Sequence, residues 1–190
     1  GYNDSIEGYE YDPDLARQLI ADSGETDLTL EFWYPTDVSR PYMPDPEAVY
    51  QSFAADLEAV GFTIVPKAEP WTPNYLEAIQ TNGLGQLYLL GWTGDYADPD
   101  NFIGTFFRLD RPDFGFSDPT IQGMLNEGLS LTTQEEREPL YEEVSQLIYE
   151  YVPGVPFVHN RPLFAMKSDI TGFVPSPVSL EKLATVDIEG

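Results

Sequence analysis

The chain has 190 residues, with 42% hydrophobic side chains, 12 Tyr and 11 Phe, so it can bury a core and is too apolar to be a disordered segment. Nine basic residues stand against 33 acidic ones, a net charge of −24, which repels phosphate backbones and anionic lipid headgroups and argues against nucleic acid as a partner. Cysteine is absent, which excludes disulfides and thiolate chemistry, and no apolar run reaches the roughly 18 residues of a membrane span.

The acidic surplus has two readings: simple solubility, or adaptation to a saline medium in which screening shortens the range of self-repulsion. The chain opens Gly1-Tyr2-Asn3-Asp4, with neither Met nor a signal sequence, and reads as a part of something longer.

Four Asp-Pro pairs punctuate the chain, at Asp12-Pro13, Asp45-Pro46, Asp98-Pro99 and Asp118-Pro119. Asp at the N-cap accepts a free backbone N–H, and Pro at the first helical position gives up a donor that had no partner. Each pair therefore predicts a helix start. Behind the first, Leu15, Ala16, Leu19 and Ile20 form an apolar stripe stopped by Gly24. Leu28 to Tyr34 then alternates as a half-buried strand does. Behind the second pair, Val49, Tyr50, Phe53, Leu57 and Val60 form a stripe stopped by Gly61, and Phe62 to Val65 is a short strand.

Leu87 to Gly91 has the length of a central strand. After the fourth pair, Ile121, Met124, Leu125 and Leu129 form another stripe. A longer helix begins near Thr132, where Thr132-x-x-Glu135 and Thr133-x-x-Glu136 are alternative capping boxes, and ends before Pro153. Val155 to Val158 and Leu163 to Met166 are weaker strand candidates. From Ile170 on, with Pro175 and Pro177, the chain has no helical period and reads as extended. Strands alternating with helices predict an α/β layer fold.

The densest polar stretch is Gly91 to Phe102, GWTGDYADPDNF, which follows a strand and leads into a helix, a place where ligands meet α/β folds. The spacing of Asp95, Asp98 and Asp100 does not match an EF-hand loop, and no metal or other cofactor is expected. A pair of these carboxylates could also serve glycoside hydrolysis, and sequence alone does not give their separation. Asp98 and Asp100 are accounted for as helix cap and first-turn acid. Asp95 is not, and beside Trp92 and Tyr96 it suits a ligand ammonium.

Arg40, in Ser39-Arg40-Pro41-Tyr42-Met43-Pro44, is one of few basic residues; it either pairs with a surface acid or offers a guanidinium fork to a carboxylate. His159 is the sole histidine, no Gly-x-Ser-x-Gly elbow accompanies it, and a structural role is expected. Trp33, Trp71 and Trp92 are core or platform candidates, Trp92 being the best placed as a platform.

These residues resemble the family-5 extracellular solute-binding proteins, the dipeptide and oligopeptide receptors of ATP-binding-cassette importers. Besides GWTGDYADPDNF, the likeness rests on Tyr11-Asp12-Pro13, Asp56-Leu57 with Gly61-Phe62, Arg137 with Leu140-Tyr141, and Pro153 to His159 (PGVPFVH). The resemblance implies no catalysis. It implies one periplasmic-binding-protein-like type II lobe, a central mixed sheet flanked by helices, over 1–153. Residues 154–190 would run back toward an N-terminal lobe outside this sequence.

By the same match, Asp95 binds a peptide ammonium, Arg40 binds the carboxylate of a dipeptide, and Trp92, Gly94 and Tyr96 line the pocket. Two fixed opposite charges then act as a ruler, since each added residue lengthens a peptide by about 3.3–3.6 Å. The implied partners are a short peptide, permease subunits and the other lobe, in an extracellular or periplasmic lipoprotein. Other cargo within the fold (nickel, haem, glutathione or an oligosaccharide) stays open, as does a carbohydrate module stacking sugars on Trp92 and Tyr96.

Overall fold

A computed structural model describes residues 3–81, 86–161, 163–176, 178 and 181–189. The chain divides into two compact units. One comprises Asp4–Gly91 and Arg111–Phe116; the other comprises Gly1–Asn3, Trp92–Asp110 and Ser117–Gly190.

The first unit opens with helix α1 (Pro13–Ser23), followed by strand β1 (Thr29–Pro35), helix α2 (Pro46–Val60), strand β2 (Thr63–Glu69), the short helix α3 (Leu76–Thr81) and strand β3 (Leu87–Tyr88). Both Asp-Pro starts work as expected. The Asp12 carboxylate accepts from the amides of Asp14 and Leu15, and Asp45 accepts from Ala48. Both helices stop at a glycine in the left-handed region, Gly24 at φ 72° and Gly61 at φ 117°, where a side chain would be strained.

The strands form one sheet in the order β2-β1-β3. The mixed sheet expected from sequence is instead parallel in the described residues, with Thr29 opposite Thr63 and Phe32 opposite Leu87. The physical reason is the connection between strands: α2 carries the chain from β1 to β2, and a helical crossover returns it in the same direction. The core lies on the α2 side of β1. Phe32, Tyr34, Met43, Ala54, Ile64 and Leu89 are buried together, with Val49, Phe53 and Leu57 against them. Tyr50 of α2 stacks on Tyr34 at 4.5 Å and meets Phe32 edge-on at 5.2 Å.

Tyr75 is fully buried, and its hydroxyl ties β1 to the residue that follows β3: it donates to the Leu89 carbonyl at 2.6 Å, accepts from the Leu89 amide at 3.0 Å and reaches the Trp33 carbonyl of β1 at 3.3 Å. Arg111 grips Asp113 with two bonds, 2.9 and 2.6 Å, and the Tyr88 hydroxyl reaches the same carboxylate at 3.3 Å. One stripe behaves differently from its sequence pattern. α1 buries none of its residues, and Leu15 and Leu19 stay 49% and 60% exposed. Apolar periodicity is enough to make the helix; whether the stripe is covered depends on what else packs there.

The second unit holds helix α4 (Pro99–Phe107), helix α5 (Pro119–Gly128), helix α6 (Gln134–Tyr151) and an antiparallel pair, β4 (Ile170–Thr171) with β5 (Asp187–Ile188). Asp98 and Asp118 cap α4 and α5. Of the two capping boxes read from sequence, Thr133 with Glu136 is the one that forms. α6 ends at Tyr151, two residues before Pro153. Ile121 and Leu125 of α5 are buried, as are Tyr141 and Val144 of α6. The strand candidates 155–158 and 163–166 are irregular and form no strand. Their alternation is too short to specify a partner. Pro177 lies outside the described residues.

Candidate functional site

The loop 92–98 leads into α4, and what holds it begins with α4 itself. The Asp98 carboxylate caps the helix at the Asp100 amide, 2.9 Å, and its Oδ1 also pairs with the Arg137 guanidinium of α6 at 2.6 Å. Asp100 is 6% exposed and pairs with Arg108 one helical face along; the Tyr141 hydroxyl donates to it at 3.2 Å. Burial, together with the Asp100 charge, pushes the Tyr141 hydroxyl up to about 12, so it stays protonated and remains a donor. Arg137 lies over the Tyr141 ring at 5.3 Å. Two acids that sequence reading offered as metal ligands or hydrolytic groups are thus spent on holding α4. No group of three metal-ligating side chains occurs among the described residues.

Asp95 is in a different position. Its backbone amide donates to the Asn101 side chain at 2.7 Å. Its carboxylate is exposed and has no partner among the described residues. Trp92 donates its indole N–H to the same Asn101 oxygen at 3.4 Å and meets Phe106 edge-on at 6.0 Å. Trp92 remains 41% exposed. Gly94 is buried, and a Cβ there would stand 2.5 Å from the Phe102 ring. Tyr96 is exposed. The second unit therefore gathers Trp92, Gly94 and Asp95 around Asn101, with the Asp95 carboxylate left unneutralised.

Arg40 belongs to the first unit. A tight turn closes between Arg40 and Met43, with reciprocal backbone bonds of 3.0 and 2.9 Å, and the buried Met43 anchors it. The Arg40 guanidinium lies over the Trp71 ring at 5.0 Å. No acid pairs with it among the described residues, in a chain carrying 33 of them. The next residue but one, Tyr42, donates to the Gly91 carbonyl at 3.1 Å, and its ring occupies the space a Cβ at Gly91 would need. Burial raises the Tyr42 hydroxyl pKa, against the opposing charge of Arg40. Arg40, Trp71 and Gly91 follow the C-terminal ends of β1, β2 and β3, the edge of a parallel sheet where ligands bind.

Residues 1–113 match the family described as bacterial extracellular solute-binding proteins, family 5 Middle. The chain belongs to this family. It is 29% identical over 198 aligned residues to heme-binding protein A of Haemophilus influenzae, covering 100% of this chain and 35% of that protein. It is 26% identical over 195 residues to the dipeptide-binding protein of Escherichia coli, covering 100% of this chain and 36% of that protein. The solved dipeptide-binding protein of Pseudoalteromonas sp. SM9913 in complex with Met-Leu shares its fold at a TM-score of 0.73 and 25% identity, covering 94% of this chain and 36% of that one. The family-5 chain thus spans about a third of the length of the curated relatives it matches. The α/β solute-binding fold expected from the sequence is the fold these proteins have.

The sequence singled out neither Asn101 nor Arg108, and Tyr141 only as part of the landmark Arg137 with Leu140-Tyr141. One signal was available for the arginine. In a chain with nine basic residues each is informative, and that reasoning, applied to Arg40, extends to Arg108, Arg111 and Arg137, all of which pair with an Asp. Asn101 had no such signal, because its role depends on a fold-back of the loop onto the first turn of α4.

Proposed function

We propose that this chain is the C-terminal lobe of a non-catalytic receptor that captures short peptides, dipeptides in particular, for an ATP-binding-cassette importer. Asp95 takes the peptide ammonium, Arg40 takes the terminal carboxylate, and Trp92, Gly94 and Tyr96 line the pocket. The observation that carries the reading is the Asp95 carboxylate. Of the three acids in its stretch it alone has no partner among the described residues, on a loop whose backbone is pinned. The Arg40 guanidinium, which has no acid partner among the described residues, supports the second anchor. Relatives named for dipeptides and di/tripeptides support the cargo. In this reading residues 1–153 form the binding lobe, 154–190 run back toward a further lobe, and the complete receptor works outside the cytoplasm as a lipoprotein with permease subunits.

The test is calorimetry on the complete two-lobed receptor with Ala-Ala, Ala-Ala-Ala and N-acetyl-Ala-Ala. Removing one partner of an enclosed charge pair costs about 2–5 kcal/mol, so Asp95→Asn and Arg40→Ala should each weaken Ala-Ala by about 30-fold or more. The 190-residue chain alone should bind at about millimolar or weaker, for want of enclosure; nanomolar binding by it would refute that part. Equal binding of Ala-Ala-Ala would remove Arg40 as an anchor. A second reading, haem as cargo, is favoured by the 29% identity to heme-binding protein A. A Soret shift with hemin, and no heat with any peptide, would replace the dipeptide reading with it.

A further inference from the structure

We propose that Asn101 is a positioning residue, which aims the Asp95 carboxylate without touching the cargo. Asn101 is 4% exposed in the first turn of α4. Its Oδ1 accepts both the Asp95 amide and the Trp92 indole N–H. Two N–H donors converge on one atom, so that atom is the amide oxygen. Gly94 closes in from a third direction, where a Cβ would stand 3.3 Å from the same oxygen. Among the described residues, no other side chain hydrogen-bonds to loop 92–97.

Asn101 is itself held at both ends. Its amide donates to the Asp98 carbonyl at 3.0 Å, and its carbonyl accepts from the Thr105 hydroxyl at 2.7 Å. Behind it the Asp98–Arg137 and Asp100–Arg108 pairs fix α4. A line of fixed groups therefore runs from α6 through α4 and Asn101 to the loop, and ends at a carboxylate left free. An amide suits this place better than an acid. Asp98 and Asp100 share its turn, and a third buried carboxylate there would be opposed by both. Asn supplies the acceptor without the charge.

The functional half of this inference rests on the reading that Asp95 faces the cargo, and the test keeps the two apart. Hydrogen exchange of the Asp95 amide and the Trp92 indole is followed by NMR in the 190-residue chain, for Asn101→Ala and Asn101→Asp. Ala-Ala affinity of the complete receptor is measured for the Ala variant. In Asn101→Ala both hydrogens should exchange at least about tenfold faster while the α6 amides keep their protection, and Asn101→Asp, which retains an acceptor oxygen but adds a charge that Asp98 and Asp100 oppose, should restore protection only in part. Ala-Ala affinity should fall at least about tenfold.

Unchanged protection in Asn101→Ala overturns the proposal. So does a loss spread equally over α4 and α6, which would make Asn101 a packing residue, and so does an unchanged affinity in a receptor that binds Ala-Ala. If the wild-type receptor binds no peptide while the exchange pattern appears as expected, the cargo reading fails and the fixing of the loop by Asn101 stands.

Discussion

Gly104 and Gly123 invite the same substitution and should respond with opposite signs. Both lie in helices of the second unit, α4 and α5. Gly→Ala in a helix interior gains about 0.5–1 kcal/mol from backbone entropy. At Gly123 a Cβ meets nothing within 4 Å, so that gain should appear in full. At Gly104 the Cβ falls on the Arg108 guanidinium and the Asp100 carboxylate, with Asp100 Cγ at 2.9 Å, so the ion pair between them must open. Breaking a fully buried pair costs about 3–5 kcal/mol; with Arg108 26% exposed the lower end applies, leaving a net loss of about 2 kcal/mol.

With a slope of about 2 kcal/mol per molar urea, Gly104→Ala should lower the unfolding midpoint by about 1 M and Gly123→Ala should raise it by about 0.3–0.5 M. Circular dichroism during urea titration measures both. A Gly104→Ala midpoint at or above wild type would refute the claim that α4 is held by the Asp100–Arg108 pair.

Two other measurements bear on the first unit. Tyr75→Phe removes a buried hydroxyl that bonds the Leu89 amide and carbonyl, while the Leu89 amide keeps the Trp33 carbonyl; a loss of about 1–2 kcal/mol by urea titration is expected. Burial opposes ionisation of Asp113, but the Arg111 guanidinium and the Tyr88 hydroxyl outweigh it and hold the carboxyl below its ordinary 3.8. The folded value then lies below the unfolded one. The stabilisation is complete above the unfolded value and is lost as pH falls through the folded one, so the urea midpoint should drop below about pH 4, and Asp113→Asn should flatten that limb of the curve.

What the sequence determined by itself are the features that depend on a few consecutive residues. Asp-Pro starts at 12, 45, 98 and 118, glycine stops at 24 and 61 and the box at Thr133 all formed, because caps and left-handed turns are made of backbone bonds spanning at most one helical turn. The family was legible too, since its motifs are runs of adjacent residues. The tertiary structure alone decided how those elements were used. It made the three-stranded sheet parallel, left Leu15 and Leu19 uncovered and left the candidate strands at 155–158 and 163–166 irregular. It also sorted three acids that look alike in sequence. Asp98 meets an arginine 39 residues away and Asp100 meets a tyrosine 41 away, while Asp95 meets only the amide that holds its backbone. Which carboxylate is neutralised depends on which distant side chains arrive beside it, and local spacing carries no record of that.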